Sequence, residues 1–231
     1  EAGAPGLEGL DEETSNIVRL LANPRRKGDR RKGLVVGNVQ SGKTRNFAGV
    51  IAKAADAGYR LIIVLAGMHN NLREQTQTRL DEQLFTGDDW GKLTGPSKDF
   101  DHQLSPRASF KHTPLLCAVV KKNKKVLQKL VEMLGDLGPD VLQKFPVLII
   151  DDEADQASPN SRSQYKEVSA VNEKLRQLWG KVITGTYVAY TATPFANVLI
   201  NPDDKEDLFP SDFIVTLEPG EGYFGPEKVF G

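Results

Sequence analysis

The chain contains a single cysteine, Cys117, in 231 residues. No disulfide framework can form within it, and a thiol inside the apolar run Pro114 to Val120 reads as a small core residue of a reduced protein. The three histidines, His69, His102 and His112, fall at no metal-ligand spacing, and Asp99, Asp101 and His102 read as a polar loop rather than a cation site. No apolar run is long enough to span a bilayer and no signal peptide is visible, so no membrane partner is expected and the expected compartment is the cytoplasm. Charge of one sign is also missing: a net charge of −1 gives no global attraction to nucleic acid. There is no internal repeat, no low-complexity tract and no Ser/His/Asp or Cys/His nucleophile pattern. No Glu-x-Lys triplet occurs, and no acid cluster beyond residues 151–155 resembles a metal nuclease.

What is present describes an ordinary soluble globular protein, with 39% hydrophobic and 26% charged residues, enough to bury the core of one α/β domain. Two basic runs stand out, Arg25 to Lys32 and Lys121 to Lys125. Each is either a solvated surface or a set of phosphate contacts to a polynucleotide. The chain starts at Glu1 without an initiator Met and stops at Gly231 without an evident cap, which gives the expectation of a piece of a longer protein.

Apolar periodicity predicts a first helix from about Asp11 to Ala22, closed by Asn23-Pro24. Residues 1–32 then form an N-terminal helix and basic linker, and 33–231 the main domain. Strands are expected at Leu34–Val36, Arg60–Leu65, Leu115–Val120, Pro146–Asp151, Thr186–Tyr190 and Phe213–Val215. Helices are expected at Phe47–Ala57, Asn70–Leu84, Lys124–Leu134 and Val168–Trp179, and an irregular segment at 86–113. The continuous apolar strands alternating with helices indicate an α/β fold with a mostly parallel sheet and helices on both faces.

The stretch Gly37-Asn38-Val39-Gln40-Ser41-Gly42-Lys43-Thr44 fits the phosphate-loop pattern GxxxxGK[ST] without a mismatch, between an apolar strand and a helix. Such a loop surrounds a phosphate with backbone N–H groups at a helix N-terminus. Gly37 and Gly42 permit close backbone approach, Asn38, Gln40 and Ser41 complete the cradle, Lys43 reaches the β- and γ-phosphates, and Thr44 meets Mg²⁺.

Further along, the strand ending at Ile150 runs into Asp151-Asp152-Glu153-Ala154-Asp155, acids at the edge where parallel sheets bind ligands. Asp152 is assigned to the metal and Glu153 to the base that orients water. Asp151 remains a competitor for the metal, and first-turn helix chemistry is the plainer alternative for the cluster. Thr191 and Thr193, in Tyr190-Thr191-Ala192-Thr193-Pro194, are placed to bond the acids and sense the γ-phosphate, or to form a Thr-rich turn.

Taken together, Gly-x4-Gly-Lys-Thr, Asp152-Glu153-Ala154-Asp155 and Thr191-Ala192-Thr193-Pro194 resemble motifs I, II and III of superfamily-two helicases and translocases. Asn70-Asn71-Leu72-Arg73-Glu74-Gln75 resembles motif Ia, which in that group contacts the nucleic-acid backbone. A narrower resemblance, carried by "VVGNVQSGKT", "KAADAGYRLIIVLAGMHNNLREQTQTRLDEQ", "LIIDDEADQASPN" and "YTATPFANVLI", is to the Z-one domain family. Its members are ATPase/endonuclease components of bacterial restriction-like and antiphage systems. The resemblance implies a RecA-like P-loop NTPase domain using ATP and Mg²⁺. It implies a nucleic-acid partner, with DNA ranked ahead of RNA and both open, met by Asn70, Asn71, Arg73 and Gln75. It also implies a second RecA-like domain, in the same protein or a partner subunit, because no motifs IV to VI follow Thr193. The endonuclease label gains no support from these residues. A phosphate-loop kinase and a non-hydrolysing, nucleotide-gated DNA-binding module remain as alternatives.

Overall fold

The computed structural model describes residues 7–37, 42–101, 115–156, 166–194, 197 and 207–218. Among them, β1 (Arg30–Val36), β2 (Leu61–Ala66), β3 (Trp90–Lys92), β4 (Leu115–Val120), β5 (Val147–Asp152), β6 (Gly185–Thr191) and β7 (Phe213–Thr216) form one sheet. Its order is β3-β4-β2-β5-β6-β1-β7 and every pairing is parallel. Among the described residues six helices accompany it: α1 (Leu7–Leu20), α2 (Lys43–Ala57), α3 (Asn70–Gln83), α4 (Lys124–Leu137), the short α5 (Pro139–Leu142) and α6 (Lys166–Lys181).

Strand alternation divides the core in two. From β2, Leu61, Ile63 and Leu65 point to the face covered by α4 and α6, where Leu127, Leu130, Leu175 and Leu178 are buried. Ile62 and Val64 point to the face covered by α1 and α2, against Ile17, Phe47, Val50 and Ile51. Because both faces are covered, β2 and β4 are apolar throughout rather than alternating. Each such fully buried aliphatic side chain contributes about 1.5–3 kcal/mol.

Two features differ from expectation. First, β1 begins at Arg30 rather than Leu34, because its pairing with β6 extends back to Arg30↔Gly185. The charged residues of this half keep their heads satisfied at the rim. Arg30 donates to Trp179 O (2.8 Å) and lies over the Trp179 ring, Arg31 donates to Leu20 O (2.9 Å), and Lys32 donates to Asp207 O (2.7 Å). The expected boundary at residue 32 therefore runs through a strand. Helix α1 shares the core of the rest, with Ile17 fully buried and Lys53 of α2 bonded to Asp11 O and Ser15 Oγ, both at 2.6 Å.

Second, the segment expected to be irregular from 86 contains the edge strand β3. It is tied down by polar burial that no apolar pattern announces. Thr94 Oγ1 donates to Gln77 Oε1 of α3 (2.7 Å) and accepts from Val119 N of β4 (2.8 Å).

Candidate functional site

The sheet order sets the C-terminal ends of β5, β6 and β1 side by side. Residues expected to act together at three distant points of the sequence emerge at one edge, where open α/β sheets bind ligands. Gly37 N donates to Thr191 O (3.0 Å), which fastens the start of the loop after β1 to the end of β6. Gly42 caps α2 in the left-handed region (φ 74°), with open space where a Cβ would stand. Lys43 Nζ folds back to donate to Gly37 O at 3.1 Å. Gly37 itself is buried, and Asn38, Gln40 and Ser41 lie outside the described residues.

Strand parity separates the two aspartates of β5. Asp151 points to the face of α4 and α6 and is fully buried; Lys122 Nζ lies 2.8 Å from its Oδ1, and Tyr187 donates its hydroxyl to Oδ2. Asp152 points to the opposite face, that of the phosphate-loop helix, and lines the cleft with Lys43 and Thr44. This corrects the expectation for Asp151 as a metal candidate: its carboxylate is sealed off from the cleft by its own partners. Burial, and then the charge of Glu153, push the Asp152 carboxyl up to about 6.

Glu153 follows at φ 54°, a left-handed conformation uncommon for a residue with a Cβ. Its Oε2 is buried without a hydrogen-bond partner and sits 3.2 Å from where a Cβ on Gly67 would be, so that glycine leaves it room. Asp155 joins the second and third motifs: its Oδ1 accepts from Thr191 Oγ1 and its Oδ2 from Thr193 Oγ1, both at 2.8 Å. The sequence reading did not name Asp155 as a site residue, although two hydroxyls spaced i, i+2 at a strand end are the pattern that would have pointed to such a partner. Behind these, Tyr190 donates to Asn46 Oδ1 (3.0 Å), and Asn46 Nδ2 to Glu13 Oε2 (3.2 Å), tying α2 to α1.

Helix α3 forms the far wall. Leu72, Gln75, Thr76, Arg79 and Gln83 recur at helical spacing and face a cleft of about 760 Å³ that also holds Gly42, Lys43, Thr44, Asp152, Glu153, Asp155, Thr191 and Thr193. Arg79 is an exposed cation on this wall that the sequence reading missed. Arg73, expected on the strand-binding face, is instead buried; its guanidinium donates to Gly95 O (3.1 Å), Val119 O (3.5 Å) and Pro96 O. That corrects its assignment: the fork caps carbonyls of the β3–β4 edge, and it pairs with neither Asp152 nor Glu153. Asn70 and Asn71 are exposed at the start of α3, and Asn70 Oδ1 accepts from Lys121 Nζ at 2.7 Å.

The residues present fit a nucleotide triphosphate with a divalent cation. A left-handed glycine, a lysine and a helix N-terminus meet two crowded carboxylates, one of them with an unpartnered buried oxygen. Among the described residues no group of three or more His, Cys, Asp and Glu gathers to hold a metal alone. A hard cation here would take Thr44 and Asp152 and complete its shell from phosphates and water, as Mg²⁺ does. It would supply charge neutralisation at the phosphates.

No protein-family model matches the chain, and no curated protein does. Solved structures do. The ATP-dependent Type ISP restriction-modification enzyme LlaBIII bound to DNA matches with TM-score 0.59 and 14% identity, over 94% of this chain and 15% of that one. A nuclease-deletion mutant of the Type ISP enzyme LlaGI, in complex with a DNA substrate mimic, matches with TM-score 0.54 and 13% identity, over 94% and 20%. The Hef helicase domain of Pyrococcus furiosus matches with TM-score 0.49 and 15% identity, over 88% and 36%. The chain thus spans about a third or less of each of these three, and at these identities the likeness is one of fold. That fold is the RecA-like phosphate-loop NTPase domain, an all-parallel sheet covered on both faces. Among the described residues no helix is long and apolar enough to cross a membrane.

Proposed function

We propose that this chain is the first motor domain of a nucleic-acid-directed, helicase- or translocase-like ATPase, within a bacterial restriction-like or antiphage defence protein of the Z-one type. The observation that carries the reading is the meeting of Lys43 and Thr44, Asp152 and Glu153, and the Thr191–Asp155–Thr193 bridge around one cleft. In this reading the loop from Gly37 to Thr44, including Asn38, Gln40 and Ser41, cradles ATP. Lys43 binds the β- and γ-phosphates, Thr44 and Asp152 hold Mg²⁺, and Glu153 orients the attacking water. Asp155 couples that acid pair to Thr191 and Thr193, which sense the γ-phosphate. The protein positions charge rather than forming a covalent intermediate.

DNA would cross the same sheet edge beyond α3. With Arg73 buried, its contacts are Asn70, Asn71 and Gln75 together with Lys121, Lys124 and Lys125 at the start of α4, next to α3 across β2 and β4. The exposed Arg25, Arg26 and Lys27 lie at the opposite edge, before β1, and serve as solvated surface in this scheme. A second RecA-like domain, in the parent protein or a partner, would close the cleft and bring an arginine finger, a group typically worth about 10³–10⁵ in rate. The chain by itself is then a slow ATPase.

Calorimetry with ATP·Mg²⁺ tests the reading. The wild-type chain should bind and a folded Lys43→Ala variant should bind severely less. Equal affinity of the two would end the assignment. ATP turnover by the parent protein that is indifferent to DNA and RNA would remove the nucleic-acid half of it.

A further inference from the structure

Lys122 belongs to the basic run 121–125, which reads from sequence as surface, yet its side chain has no exposed area at all. It follows β4 and reaches under the end of β5. Its ammonium lies 2.8 Å from Asp151 Oδ1, 2.7 Å from Asp152 O, 2.7 Å from Glu153 O and 3.3 Å from Gln156 O. An ammonium has three protons, and three acceptors at 2.7–2.8 Å account for all of them. Its backbone N–H meanwhile donates to Gly67 O at 2.8 Å, in the turn that leaves room for the Glu153 carboxylate.

A lysine that only neutralised Asp151 would spend one proton on it and could place the other two on any nearby acceptors. This one gathers successive carbonyls on both sides of Glu153, the described non-glycine residue with positive φ. Turning the carbonyls of residues 152 and 153 toward one point beneath the sheet edge is the geometry of that left-handed turn. The Asp152 and Glu153 side chains meanwhile line the cleft with Lys43 and Thr44. The turn is disfavoured for a residue with a Cβ, so a group that binds those carbonyls selects it.

We propose that Lys122 is a positioning residue for hydrolysis. By clamping the Asp151–Gln156 turn from below, it fixes the two carboxylates that hold the cation and orient the water. The proposal rests on the nucleotide reading above and adds a residue that touches neither nucleotide nor metal. Supports of this kind behind metal-binding carboxylates typically cost about 10–100-fold in metal affinity or activity when removed.

The test compares Lys122→Met with the double variant Asp151→Leu/Lys122→Met, in which an apolar pair replaces the ion pair and no buried charge is left alone. ATP affinity is measured by calorimetry with Mg²⁺ and with EDTA, and turnover at saturating ATP, alongside melting temperature. Positioning predicts that both variants keep the wild-type affinity in EDTA. It further predicts that they lose about tenfold or more of the affinity gained with Mg²⁺, with KM for ATP·Mg²⁺ rising by that factor, and that kcat at saturating ATP falls similarly, whatever the melting temperature. A folded double variant with wild-type Mg²⁺ gain and kcat overturns the proposal and leaves Lys122 a structural counter-ion. Should neither variant fold, Lys122→Arg decides: its planar fork cannot donate to the same three converging acceptors, so a wild-type Mg²⁺ gain there is equally fatal. Failure of the nucleotide reading looks different, since it appears as a wild-type chain that binds no ATP, and it takes this proposal with it.

Discussion

Asp151 and Asp152 are consecutive in β5 and face opposite sides of the sheet, one sealed against Lys122 and Tyr187, the other open to the phosphate-loop cleft. Their substitutions should therefore separate cleanly. Asp151→Asn leaves the Lys122 charge buried without its carboxylate, a loss of about 3–5 kcal/mol when such a pair is broken. The folded fraction should keep its response to Mg²⁺. Asp152→Asn should fold well and bind nucleotide with little dependence on Mg²⁺. Denaturant melts and Mg²⁺ titrations of both variants check this. If Asp151→Asn carries the metal phenotype and Asp152→Asn does not, the parity assignment is wrong.

Asp152 also makes a pH prediction. Its carboxyl, ordinarily near 3.8, is pushed up to about 6, by burial first and by Glu153 second. The folded chain thus holds this proton more tightly than the unfolded chain does. Stability from this group is present below the unfolded value and is lost as pH rises through the folded one, by about 3 kcal/mol at most for a shift of this size. At pH 7.5 without metal, Asp152→Asn should therefore melt above wild type; near pH 3.5 the difference should vanish; and Mg²⁺ should narrow it at pH 7.5 by stabilising only the wild type. A variant that melts no higher than wild type at neutral pH contradicts the crowding of Asp152 with Glu153.

Much of this was legible in the chain. Strands buried on both faces leave unbroken apolar runs, and the phosphate loop carries its own strand, turn and helix. The order in which the motifs meet needed only a parallel sheet. What escaped are residues whose partners are backbone carbonyls. Arg73 and Lys122 look like surface charge in sequence, because the Gly95, Pro96 and Val119 carbonyls, or those of 152 and 153, leave no side-chain signature. Strand β3 is three residues long and pairs on one side only, too short for any period to register. The inward turn of Asp151 was open to inference from parity, had the face of α2 been known.

Glu153 supplies a third test. In the parent protein Glu153→Gln should bind ATP with wild-type affinity and lose turnover by two orders of magnitude or so, the usual scale of general acid–base assistance. The amide keeps the shape but cannot take the water's proton. Gly67→Ala should reproduce part of this loss without touching the glutamate, because the added Cβ would stand 3.2 Å from Oε2 and 3.1 Å from Leu72 Cδ1, at a backbone φ of 60° that disfavours alanine. Single-turnover ATP hydrolysis separates the two effects from binding. A Glu153→Gln protein with undiminished turnover would move the base elsewhere.

The last test concerns where nucleic acid meets the domain. Arg73→Ala removes a buried fork and its donors to the carbonyls of Gly95, Pro96 and Val119; Gly95 O keeps Lys98 N (3.0 Å), while a buried carbonyl left without a partner costs about 1–3 kcal/mol. Its melting temperature should fall markedly. The slope of log affinity for DNA against log salt should not change, because no counterion is displaced by a guanidinium that never reaches a phosphate. Lys124→Ala and Lys125→Ala should behave in the opposite way. Both side chains are exposed at the N-terminus of α4, so melting should move little while each substitution flattens the slope by about one counterion. Asn70 stands between these two outcomes, since it holds Lys121 at 2.7 Å on the same edge. Asn70→Ala should weaken DNA binding at constant slope, the lysine charge being retained but no longer held in place. A flattened slope in Arg73→Ala would mean that the guanidinium leaves its carbonyls when DNA binds, and would return Arg73 to the contact surface.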